Sequence, residues 1–167
     1  MNSENEIFVN IVNFSNYQVS NFGNVKNVKT GRVLKPGLCT GGYLMVTLMN
    51  DGERSSKKIH KIVASAFLEN PENKINVDHI SRDRTNNHVN NLRWATASEN
   101  AQNRSITSRN TSGVKGVSFH KSSQKWRAQI DADGRKIYLG SFEDKNDAIV
   151  ARENAEIYHF GEFRSTA

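Results

Sequence analysis

Cysteine is nearly absent from this sequence. Cys39 stands alone among 167 residues, so no disulfide forms within the chain and no cysteine-based zinc site exists. A lone thiol favours a reducing compartment. Aromatic residues are few, 8% of the chain within a hydrophobic content of 36%. No long apolar run is present, so no transmembrane helix and no membrane partner are expected. The opening residues, MNSENEIFVN, lack a basic start followed by an apolar stretch. No secretory signal is therefore expected, and the predicted location is cytoplasmic.

What the chain does have is positive charge. Lysine and arginine number 23 against 17 acidic residues, a formal +6, with a pI near 9.5. Such a balance suits a polyanionic partner without identifying it. A plain solvated basic surface would look the same. Charge is spread almost evenly along the chain, except near its C-terminal end. Residues 113–142 hold six basic and two acidic side chains, whereas 143–167 hold three basic and six acidic. A basic sheet backed by an acidic helix would turn the sheet toward a polyanion.

Pattern divides the chain into three segments and a linker. Over 6–71, NYQVSNFGNVKNV alternates around a turn at Asn21-Phe22-Gly23. YLMVTLMNDGERSSKKIHKIVASAFL reads as a strand, a turn at Asn50-Asp51-Gly52, a strand and a short helix. That helix has Ile62, Val63, Ala66 and Phe67 on one face and stops before Asn70-Pro71. Over 72–104, INVDHI and NLRWAT read as strands around a polar loop. SENAQNRS reads as a helix start with Thr96 or Ser98 as cap. Residues 105–112 read as a linker. Over 113–163, three short strands, with a hairpin turn at Asp133-Gly134, precede a helix capped by Asp144 and ended by Gly161. Ala148, Ala151, Ala155 and Tyr158 share one face of it. The expected fold class is α+β and modular: a central hairpin–helix unit, then a three-stranded antiparallel sheet packed on one helix.

The stretch from position 77 to 100, VDHISRDRTNNHVNNLRWATASEN, pairs Asp78 with His79 and adds Asn86, Asn87, Asn90, Asn91 and Asn100. Phosphodiester hydrolysis builds negative charge on the phosphate and on the leaving oxygen, and one hard divalent cation stabilises both. Such a cation prefers carboxylate, carboxamide, phosphate and water oxygens. The attacking water needs a base, and histidine titrates in the right range. Carboxamides supply oxygens without charge that would repel DNA. Asp78 and His79 are neighbours on a strand, so they serve one phosphate only by flanking it or by lying where the strand ends or bends. A polar hairpin shaped by asparagine turns is the bland alternative.

The pattern VDHI…NN…NNLRWAT…SEN resembles the HNH endonucleases of the phage and intron-encoded branch, whose ββα-metal unit grips one metal ion. The resemblance implies His79 as general base, Asp78 and Asn100 as metal ligands, and Asn91 as the residue orienting the loop and the histidine. It implies one Mg²⁺ (or Mn²⁺) per active site. Arg93 is expected to touch phosphate; Trp94 reads as core, and His60 as structural. NYQVSNFGNVKNV…LKPG…GGYLMVTL…KKIHKIVASAFLENP resembles the NUMOD-type module that precedes such units, although FVNIVNF replaces the usual tryptophan-led opening.

GVKGVSF, KWRAQI, YLGSF and a helix ending in GEF resemble the ethylene-response-factor (Apetala-type) DNA-binding domain. In that family the sheet enters the major groove. The implied outward set is Lys115, Ser118, His120, Lys125, Arg127, Gln129, Lys136 and Tyr138, while Trp126, Ala128, Ile130, Ile137 and Leu139 would face the helix. Ser118, His120 and Asp131 stand where the family has arginines, so base reading would be weaker or different. The resemblances together predict a metal-dependent nuclease acting on double-stranded DNA, a homing-type nicking or cleaving enzyme, monomeric or weakly dimeric on DNA. If phage-encoded, it would work in a bacterial cytoplasm. The competing reading is a non-catalytic DNA-binding regulator with a relic nuclease core.

Overall fold

The computed structural model describes residues 5–103, 110–132 and 134–163. The chain divides into two compact units at Thr96/Ala97.

The first unit opens with β1 (Phe8–Ile11), β2 (Phe14–Ser20) and β3 (Val25–Asn27), an antiparallel sheet in that order. A second antiparallel sheet follows: β4 (Gly37–Cys39), β5 (Tyr43–Asn50) and β6 (Glu53–Lys58). The β5–β6 hairpin pairs Asn50 with Glu53. Its two turn residues, Asp51 and Gly52, both have positive φ (49° and 82°), as the mirror-image hairpin turns require. Helix α1 (Ile59–Phe67) then buries Ile59, His60, Ile62, Val63 and Ala64. Ala66 and Phe67 pack half-buried on the same core. Strands β7 (Asn76–His79) and β8 (Leu92–Ala95) form a two-stranded hairpin, joined by a long polar loop that ends in a 3₁₀ turn, Val89–Asn91.

One hydrophobic core joins these parts. Val19, Val25, Val46, Leu48 and Val63 are buried in the same cluster as Val77 and Leu92 of the hairpin. The division at Pro71 drawn from sequence therefore does not separate two cores. Trp94 packs against this cluster and donates Nε1–H to Leu68 O at 3.3 Å. It is a core side chain, as the sequence reading has it. Gly23 shows how closely the first sheet supports the loop. Its φ is +89°, and a Cβ there would lie 2.8 Å from Asn87 Cβ. Glycine alone meets both conditions without strain.

The second unit begins with helix α2 (Ala97–Gln102), directly after Thr96. Strands β9 (Val117–His120), β10 (Lys125–Ala132) and β11 (Arg135–Phe142) make an antiparallel sheet with β10 in the centre. The β10–β11 turn includes Gly134 with φ +71°; Asp133 lies outside the described residues, as does most of the 105–112 linker. Helix α3 (Lys145–Phe160) is capped by Asp144, whose carboxylate accepts from Asn146 N, and ends at Gly161 with φ +50°. Ala148 and Ala151 pack with Val117, Ala128 and Trp126. Tyr158 does not join them; it is 84% exposed. Arg152, one turn on from Ala148, is buried instead. The Arg152 guanidinium donates from Nε to Lys115 O and pairs with Glu156. No helix among the described residues is long and apolar enough to cross a membrane.

Candidate active site

The β7–β8 hairpin brings the acid and the imidazole to the end of a strand. Antiparallel register sets Asp78 opposite Arg93 and His79 opposite Leu92. Alternation puts His79 on the face of Val77, toward the core, and Asp78 on the other. Both are buried, with 5% and 4% of their surface exposed. β7 stops at His79, and Arg82 takes a positive φ of 66° three residues on. The strand end and bend required by the sequence argument are therefore present.

Asparagines hold the loop. Asn91 Oδ1 accepts from Ser81 N at 2.9 Å, and its Nδ2 donates to Asn86 O at 2.8 Å. One buried side chain thus clamps both ends of the 81–86 segment. Its own backbone carbonyl accepts from Ile80 N at 2.8 Å. Asn87 does the second task. Its Nδ2 donates to Thr85 O, which turns its Oδ1 toward His79 Nε2 at 3.2 Å. The ring nitrogen facing an acceptor must carry the proton, so Nδ1 bears the lone pair. Burial is the largest influence on His79 and pushes its pKa below the ordinary value. The Asn87 bond and the Asp78 and Asp83 carboxylates act the other way, and Arg84 adds to the lowering. The ring is neutral at neutral pH, as a base must be.

Asp78 has a dedicated partner. Arg93 Nε and Nη2 lie 3.0 and 2.8 Å from its Oδ2. The Arg93 side chain is only 13% exposed. In the structure Arg93 is thus paired with Asp78. The two stand directly opposite on one face of the hairpin, and a buried carboxylate needs a counter-charge. Among the described residues, no three His, Cys, Asp or Glu side chains gather as a metal cage. The donor set is one carboxylate amid carboxamides. That sparse oxygen set suits a hard divalent cation that keeps its waters and takes substrate phosphate as ligand. Asn100 lies on α2 in the second unit, half-buried.

Three residues around His79 were outside the sequence argument or given no part in the chemistry. The rings of His60 and Tyr43 lie 5.0 and 5.8 Å from that of His79. His60 is 3% exposed, and its Nδ1 is buried without a hydrogen-bond partner. Burial, with His79, Lys58 and Lys61 near, lowers its pKa to about 3. Arg84 reaches back to Gly41 O at 2.6 Å. The HKIVASAF helix pattern announces a buried face at His60, but nothing local pairs it with a residue nineteen positions on.

In the second unit, Ser118, Arg127, Lys136 and Tyr138 are exposed on the sheet, while Lys115, His120, Lys125 and Gln129 are half-buried. Register aligns Ser118, Arg127 and Ser141 across the three strands and Gln129 with Tyr138. A bulge between Ala128 and Gln129 shifts the alternation of β11. Ser141 therefore joins this face, where Tyr138 Oη meets its Oγ at 2.6 Å. His120 Nδ1 is engaged by Ser122 and Ser123.

Comparison with known proteins agrees with this geometry. Residues 57–102 match the HNH endonuclease family model, and residues 6–49 match the NUMOD4 motif. An uncharacterized HNH endonuclease of Acanthamoeba polyphaga mimivirus is 48% identical over 95 residues, 55% of this chain and 24% of that protein. The DNA endonuclease I-HmuI of Bacillus phage SP01 is 38% identical over 87 residues, 52% of this chain and 50% of that protein. The chain thus spans half or less of the length of these relatives. A solved structure concerned with DNA binding and cleavage by the HNH homing endonuclease I-HmuI superimposes with a TM-score of 0.57 at 26% identity. It covers 90% of this chain and 88% of that one. The chain therefore matches the HNH endonuclease family over residues 57–102 and the NUMOD4 motif over residues 6–49, and it is similar to the phage homing endonuclease I-HmuI.

Proposed function

We propose that the protein is a divalent-metal-dependent endonuclease that hydrolyses phosphodiester bonds in double-stranded DNA, as a homing-type nicking or cleaving enzyme. The observation that carries this reading is the buried Asp78–His79 pair at a strand end, each side chain fixed by its own partner. His79 is the general base; its ring is neutral at pH 7 and oriented by Asn87. Asn91 shapes the loop that presents it. Asp78, held by Arg93, is the carboxylate for the cation; Asn100 enters as a ligand through the family resemblance alone. When bound, magnesium or manganese would supply Lewis-acid stabilisation of the charge that builds on phosphate and leaving oxygen.

The sheet β9–β11 is proposed as a DNA-contacting surface of the ethylene-response-factor type. Its support is the exposed row of Arg127, Lys136 and Tyr138 on one face, with α3 packed on the other. Serine, lysine and arginine on such a face can hold the backbone, and a β-ribbon fits the major groove.

The test is plasmid conversion. Supercoiled DNA with magnesium is converted by the protein to open circles or linear DNA. Chelator abolishes conversion, and His79→Ala slows it by about 10²–10⁴-fold. Open circles alone identify a nickase. Tight binding without conversion, in magnesium and in manganese, would overturn the nuclease and favour a DNA-binding regulator.

A further inference from the structure

Beside the candidate base lies a cluster that the proposed mechanism leaves unused. Tyr43 opens β5, and four side chains meet its ring. The His60 and His79 rings lie 4.8 and 5.8 Å from it, centroid to centroid. Lys58 Nζ stands 4.6 Å from the ring centroid and Arg84 Cζ 5.0 Å. Two cations share one aromatic ring, although each repels the other.

Neither cation has a carboxylate partner among the described residues. The nearest acid in sequence, Asp83, is turned inward on its own loop, accepting from Thr85 N and Oγ1 at 2.9 and 2.7 Å. Arg84 makes one hydrogen bond, from Nη1 to Gly41 O at 2.6 Å in the β4–β5 turn. That bond and the Tyr43 ring fix the guanidinium at two points, although the residue is exposed. The rest of a five-donor planar fork is left for a ligand. An exposed arginine held at two points is pre-organised, and an anion bound to it would offset its repulsion from the second cation on the same ring.

The nuclease reading leaves one need unmet. A phosphodiester under attack spreads negative charge over its nonbridging oxygens, and cationic clamps that do not reorganise stabilise this charge best. Resting on that reading, we propose that Arg84 and Lys58, seated on Tyr43, form a phosphodiester clamp beside His79, with Arg84 on a nonbridging oxygen of the attacked phosphate. Arg84 makes and breaks no covalent bond. It holds charge that grows toward the transition state, so it acts on the rate more than on binding. A solvated cation–π pair would do neither.

Single-turnover cleavage of plasmid in magnesium, with protein in excess, tests this against DNA affinity measured with calcium in its place. Arg84→Gln is expected to slow cleavage at saturating protein by about 100-fold. Its Kd is expected to change by less than about threefold, since one phosphate contact contributes little to the whole. Arg84→Lys regains part of the rate, because it restores charge without the fork. Lys58→Gln has the smaller effect of the two. An Arg84→Gln rate within twofold of wild type overturns the proposal, as does a defect that disappears at saturating protein. His79→Ala is run alongside. If it is dead while Arg84→Gln is normal, the nuclease reading stands and the clamp alone falls. If wild type and His79→Ala behave alike, the reading of the site falls and takes the clamp with it.

Discussion

The β7–β8 hairpin and the β9–β11 sheet are both polar, but they use polarity in opposite ways. In the hairpin, side chains are bonded to one another: Asp78 to Arg93, His79 to Asn87, and Asn91 to both ends of its loop. All but Arg93 are more than nine-tenths buried. In the sheet, Arg127, Lys136 and Tyr138 lie open to solvent. Chemistry at a phosphate needs groups fixed before the substrate arrives, whereas a surface that grips a polyanion needs accessible donors. The difference predicts that substitutions in the hairpin act on rate and stability together, and those on the sheet on affinity alone.

Among the residues that shape the hairpin without touching the phosphate, the largest effect is expected at Asn91. Asn91→Ala leaves Ser81 N–H and Asn86 C=O without their partner. Unpaired buried groups cost about 1–3 kcal/mol each, moderated here because the loop is partly open to water. The loop that presents His79 loosens, and cleavage is expected to fall by about 10–100-fold. Thermal melting and single-turnover cleavage on the same sample check this. Cleavage within twofold of wild type would mean that the hairpin is no more pre-organised than the sheet.

A second test sharpens the comparison through pH. His60 is buried, with a pKa near 3 in the folded protein against an ordinary 6.5. The unfolded chain therefore binds a proton below about pH 6.5 that the folded chain refuses. Stability falls as pH drops through that window and levels off near pH 3. One such group accounts for about 2 kcal/mol between pH 7 and pH 5 at most. His79 is lowered too and adds in the same direction. Urea unfolding at the two pH values, for wild type and His60→Phe, isolates the His60 share. An unchanged pH dependence in His60→Phe would show that the ring is not forced neutral by its surroundings.

Local signals carried most of the elements. Asn50-Asp51-Gly52 announced its hairpin because both turn positions need positive φ. Asp144 and Gly161 marked the ends of α3 for equally local reasons. What remained hidden was long-range. Val19 and Val46 share a core with Val77 and Leu92, and no periodicity within 6–71 reports that. The pairing of Arg93 with Asp78 is not legible in the sequence, because the two are fifteen residues apart and meet only through the hairpin register. Tyr158 fits the helical spacing of the alanines, yet it is exposed, while Arg152 of the same helix is buried and donates to Lys115 O. The bulge that brings Ser141 beside Arg127 has no sequence mark beyond Gly140, whose φ is +137°.

The smallest effect on chemistry is expected at the sheet. Arg127 and Lys136 are exposed on the face away from α3, so replacing both with alanine should leave the melting temperature nearly unchanged; surface changes of this kind stay within about 0.5 kcal/mol. Cleavage at saturating protein should also be unchanged, because neither residue lies in the unit that holds His79. DNA affinity should fall, and its salt dependence should become shallower. Each lost phosphate contact removes about 0.9 from the slope of log K against log salt concentration. Binding titrations at several salt concentrations read this directly. A slope reduced by roughly two would assign both side chains to phosphates. A uniform loss across unrelated sequences would make the sheet a backbone grip, while a loss confined to a preferred sequence would make it a reader of bases. An unaltered slope would remove the sheet from the DNA contact.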